Sequence, residues 1–102
     1  RRLTLRGASL ERGVPGPKDD QAGVCLRFEY DEAFIADLKN LSPYPARYWS
    51  PELGGWWFSE DIETEVVQLT LKRFGEIKIV EDGKPDQIVN ENGEVLQQEG
   101  LF

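Results

Sequence analysis

The chain has no histidine, no methionine and a single cysteine among 102 residues, and these gaps remove much of the chemistry a small domain can host. Without histidine, a Ser-His or Cys-His nucleophile cannot be built and the commonest zinc ligand is missing. Cys25 has no second cysteine to pair with, which suits a reducing, cytoplasmic setting. Lying in an alternating apolar segment, with no imidazole to activate it, it reads as a small buried hydrophobe. No apolar run approaches the roughly 20 residues of a membrane span, and no signal-peptide pattern is visible. A GxxxxGK[ST] phosphate loop is also missing, so the sequence holds no P-loop motor. The lack of methionine is expected to mark a processed, trimmed or partial form, with neighbouring sequence a further place for function.

Carboxylates are what remains for catalysis. The densest run is Glu60-Asp61-x-Glu63-x-Glu65, where helix geometry sets Asp61 and Glu65 on one face. Acids in a first helical turn ordinarily complement the helix dipole, and Asp82-x-Lys84-x-Asp86 lacks the spacing of a calcium loop. Composition alone leaves a paired-carboxylate or Mg²⁺ site open, but the expectation is a protein that is not an enzyme, without catalytic, metal or cofactor residues.

What the chain does have is a dense aromatic turn, Trp49-Ser50-Pro51-Glu52-Leu53-Gly54-Gly55-Trp56-Trp57-Phe58. It reads as a hairpin, with 46–50 running in, 51–54 turning and 55–59 running out. Side chains alternate along a strand, so Trp56 and Phe58 share one face and Trp57 takes the other; Tyr48 opposes Trp49 in the same way. Trp49, Trp56 and Phe58 are expected to face the core. Trp57 with Tyr48 is expected on the outer face as a contact surface, unless a Leu3–Leu5 strand or the carboxy-terminal strands cover it.

The flanking pattern gives an order of elements. Residues 24–30 alternate as a strand, and Asp31 can cap a helix with Phe34, Ile35, Leu38 and Leu41 at helical spacing. After the hairpin, a second helix over 60–74 carries acids first and Lys72-Arg73 last, with Gly75 as its stop. Leu3 and Leu5 suggest a short edge strand, and 13–23 is a loop rich in proline and glycine. Beyond Gly75, strands through Ile77 and Ile79, 87–90 and 94–97 are separated by Asp82-Gly83 and Asn92-Gly93, both favoured hairpin turns. The expected fold is α+β: a small antiparallel sheet, β-α-β-β-α with a carboxy-terminal meander, and two helices on one face. Its core is expected to include Leu26, Phe28, Phe34, Leu38, Trp49, Trp56, Phe58, Val66 and Leu69. The organisation expected is a strand and loop (1–23), an αβ core (24–75), a meander (76–97) and a tail (98–102).

Leu26-x-Phe28 and Tyr30-Asp31 before the first helix, then Trp49-Ser50-Pro51, a short turn, Trp56-x-Phe58 and Ser59 before the second, resemble the HARP domain. That domain accompanies the motor of annealing helicases, and the amino-terminal domain of a phage branch-migration helicase is similar in plan. The resemblance covers about half the chain; Trp57 stands where a polar residue is commoner, and Tyr48 is an additional aromatic. It implies a DNA-binding module beside a helicase motor, acting at forked or single-stranded DNA in replication or repair.

Charge cuts across that implication. The net charge is −7, whereas DNA binding relies on phosphate neutralisation by Lys and Arg. The distribution is uneven: residues 1–27 carry six basic residues against three acids, and residues 76–102 carry seven acids against Lys78 and Lys84. Arg27, Lys39, Arg47, Tyr48 and Trp57 are the candidate DNA contacts, with affinity expected to be weak alone. The final Gln98-Glu99-Gly100-Leu101-Phe102 resembles the short peptide with which bacterial polymerases and repair proteins dock on the sliding clamp. Gln98, Leu101 and Phe102 match its register; Glu99 departs from the usual leucine. The alternative function is a protein-interaction adaptor that binds a clamp or other replication protein without touching DNA.

Overall fold

In the computed structural model, which describes residues 8–18, 20–41 and 46–98, the first strand lies in the middle of the sheet. The elements in chain order are β1 (Ala8–Arg12), β2 (Gly23–Arg27), α1 (Glu32–Leu41), β3 (Arg47–Ser50), β4 (Gly55–Ser59), α2 (Glu63–Phe74), β5 (Glu76–Val80), β6 (Gln87–Asn90) and β7 (Val95–Gln98). A short 3₁₀ turn, Glu60–Ile62, leads into α2. The seven strands of the described residues form one sheet, ordered β3-β4-β2-β1-β5-β6-β7. Ser9, Leu10 and Glu11 pair antiparallel with β2 on one side and parallel with β5 on the other. The expected all-antiparallel sheet is therefore corrected at β1–β5. The expected strand at Leu3 and Leu5 lies outside the described residues; the strand seen is Ala8–Arg12, whose alternation of Ala8 and Leu10 with Ser9 and Glu11 is weaker in sequence.

Both helices cover one face, as the α+β expectation required. Phe34 and Leu38 of α1 and Val66 and Leu71 of α2 pack on Leu10, Val24, Leu26, Phe58 and Ile77, all buried. Each such side chain contributes about 1.5–3 kcal/mol by leaving water. Asp31 caps α1 by accepting the Phe34 N–H at 3.1 Å. α2 ends at Gly75, whose φ of 85° only glycine adopts without strain and whose N–H returns to the Leu71 carbonyl at 2.8 Å. Neither carboxy-terminal connection is a two-residue turn: residues 81–86 join β5 to β6 and 91–94 join β6 to β7. Pro85 has no N–H to give a ladder, so pairing resumes only at Gln87.

The opposite face holds a second, smaller core of Val14, Cys25, Tyr48 and Trp57. The loop between β1 and β2 folds across it. Trp57 donates its indole N–H to the Val14 carbonyl at 2.9 Å, and the Lys18 N–H reaches the Tyr48 hydroxyl at 3.3 Å. Trp57 lies so close to β2 that a Cβ on Gly23 would run into its ring. Only glycine fits there.

Candidate functional site

The hairpin register is the one parity dictates: Tyr48 pairs with Trp57 and Trp49 with Trp56. Both faces are covered, with Phe58 and Trp56 in the helix-side core as expected and Trp57 and Tyr48 in a second core behind the sheet. Trp57 is 0% exposed and Tyr48 6%, stacked at 5.2 Å between ring centroids, whereas Trp49 is 50% exposed. Trp57 and Tyr48 are thus corrected from contact surface to core, and Trp49 from core to surface. The cause is the segment between β1 and β2, whose Val14 and Lys18 cover Trp57 and Tyr48 on the back face.

Trp49 and Trp56 meet edge-to-face at 5.9 Å on the helix side and open into a groove of about 330 Å³. Leu26, Arg27 and Phe28 of the β2 end, Tyr30, Ile35 of α1, and Gly54-Gly55 complete its lining. Tyr30 is 78% exposed. Arg27 does not reach outward: Nε and one terminal nitrogen donate to the Leu53 carbonyl at 3.1 and 2.8 Å, and the other pairs with Glu11 at 3.0 Å. Expected as a DNA contact, its guanidinium instead anchors the β3–β4 turn.

The other two cations expected at the site, Lys39 and Arg47, do not line the groove. Lys39 is exposed one turn beyond Ile35 on the same side of α1, about 6 Å further along. Arg47 is half-buried two residues before Trp49 on the same face of β3, about 7 Å back. Gln98 closes β7, its backbone opposite Gln87, so the groove strand β3 and the strand leading to the tail are opposite edges of the sheet. Leu101 and Phe102 lie outside the described residues.

Electrostatics around the site are set by local pairing. The Phe34 N–H, and next the Arg73 guanidinium, hold the Asp31 carboxyl below its ordinary range. Burial pushes the Cys25 thiol up, so it stays protonated at neutral pH. Among the described residues no three metal-ligating side chains cluster, and Glu63 of the acidic run instead receives Arg12 at 2.6 Å. No helix of the described residues is long and apolar enough to cross a membrane. Comparison with protein-family models, characterised proteins and solved structures finds no match to this chain. A function for the groove rests on its own chemistry.

Proposed function

We propose that this chain is a non-catalytic recognition module for nucleic acid with unpaired bases, forked or single-stranded DNA, acting in replication or repair beside a helicase, nuclease or polymerase. The observation that carries the reading is the open aromatic groove of Tyr30, Trp49 and Trp56, with Lys39 four residues beyond Ile35 on α1 and Arg47 two residues before Trp49 on β3. A base stacked on such a platform gains about 1–3 kcal/mol. The lining has no Asn, Gln, Ser, Thr or carboxylate to read base edges, so binding tolerates any sequence. The net charge of −7 keeps affinity low, and attachment to a helicase motor or sliding clamp supplies local concentration. The resemblance to the HARP domain points the same way.

A second reading, an adaptor for a replication protein, is favoured by one observation. Arg27 is neutralised, and Glu29, Glu32 and Glu52 are exposed in the segments that bear the groove. Such a rim suits an apolar side chain on a basic protein. Salt-titrated binding to forked and single-stranded DNA separates the two. Micromolar affinity with a log–log salt slope of about −1.4, two phosphates' worth, supports nucleic acid. No binding at low salt supports the adaptor.

A further inference from the structure

We infer that the last turn of α2 sets the shape of the groove, with Arg73 as a positioning residue that does not line it; the inference rests on the groove being the binding site. Arg73 grips Asp31 with a two-pronged fork, Nε to Oδ2 at 2.9 Å and a terminal nitrogen to Oδ1 at 3.0 Å. Asp31 follows Tyr30 directly. Its side chain caps the Phe34 N–H and its carbonyl accepts the Ile35 N–H at 2.9 Å. One carboxylate thus ties α2 to the corner that carries Tyr30 and Ile35, both groove residues. Phe74, the next residue along α2, extends the grip: its ring lies 5.1 Å from Phe34 and 6.3 Å from Phe28, and Phe28 also lines the groove.

The two walls are therefore held by different arginines. Arg27 holds the hairpin wall through the Leu53 carbonyl, and Arg73 holds the α1 wall through Asp31. Releasing Arg73 leaves the hairpin wall and the Trp57 core in place while freeing Tyr30 and Ile35. By reciprocity, a ligand that fixes Tyr30 stabilises the last turn of α2.

Asp31→Asn isolates the fork, because asparagine caps a helix about as well as aspartate but carries no charge for Arg73. Arg73→Lys keeps the charge and loses the fork. With Arg73→Ala and the Asp31→Asn/Arg73→Ala double variant, they form a series read by the three indole N–H resonances and by affinity for a fifteen-nucleotide oligothymidine. In Asp31→Asn and Arg73→Ala the Trp49 and Trp56 resonances are expected to move while Trp57 stays. Affinity is expected to fall about fivefold in each and no further in the double variant, with Arg73→Lys between. Moved groove indoles in a chain whose wild type does not bind oligothymidine keep the inference and remove the nucleic-acid reading. Unmoved groove indoles in the folded Asp31→Asn and Arg73→Lys variants overturn the inference, whatever the DNA result.

Discussion

The indole N–H of Trp57 and the carbonyl of Val14 are joined by a 2.9 Å hydrogen bond across 43 residues, and both groups are buried. That bond closes the loop over 13–22 on the back of the sheet and turns an aromatic pair that would otherwise face water into a second core. An indole N–H buried without an acceptor would cost about 1–3 kcal/mol, so the loop and the tryptophan support each other.

Trp57→Ala is expected to destabilise the domain by about 3–5 kcal/mol, a large share of the roughly 5–15 kcal/mol a small domain has. Trp57→Phe keeps a ring but leaves the Val14 carbonyl unpaired, and should lose less. Gly23→Ala drives a methyl into the same indole and should destabilise by a comparable route. Urea denaturation gives all three, with midpoints falling at unchanged m-value. A Trp57→Ala variant as stable as wild type would remove the second core from the account.

Trp49→Ala removes a half-exposed ring, so its stability change should stay within about 1 kcal/mol. Oligothymidine affinity should nonetheless fall at least about fivefold, the low end of one lost base–aromatic stack. Thermal melting alongside fluorescence-anisotropy titration checks both halves.

Asp31 carries the pH dependence. Its folded-state value is lowered, so it stabilises the fold above the ordinary aspartate value of about 3.9, and this contribution is lost as pH falls through the lower folded value. Wild type should melt higher than Asp31→Asn at pH 6, and the gap should close as melts are repeated down to about pH 2. A gap that persists at the acid end would show that the carboxylate charge is not its source.

Much of this architecture is readable from residue spacing. Alternation through Trp56-Trp57-Phe58 assigns each ring to a face, and the strand pairings agree. Acids early and Lys72-Arg73 late frame α2, and Gly75 ends it. Which face is sealed is not readable from parity, because that depends on a loop whose Val14, the lone apolar residue between Gly13 and Pro15, lies 43 residues before Trp57. The parallel β1–β5 pairing is equally non-local: Ser9 meets Lys78 only after α1, the hairpin and α2 have intervened. Arg27 illustrates the same limit for the site, since a cation beside an aromatic hairpin looks like a phosphate contact until the Leu53 carbonyl claims it.

Deleting Leu101 and Phe102 tests the tail. The fold and any oligothymidine affinity should be unchanged, because the groove strand β3 is at the opposite sheet edge from β7. Capture of a bacterial sliding clamp by the intact chain should disappear. Equal capture by both forms, or by neither, would dispose of the clamp proposal.

The most direct test of the central claim follows the three tryptophan indole resonances while oligothymidine is added at low salt. Trp49 and Trp56 are expected to shift together and saturate, with a midpoint that weakens as salt rises, while Trp57, sealed against Val14, does not move. Saturable binding that leaves Trp49 and Trp56 unmoved, or no binding at all, would contradict the claim.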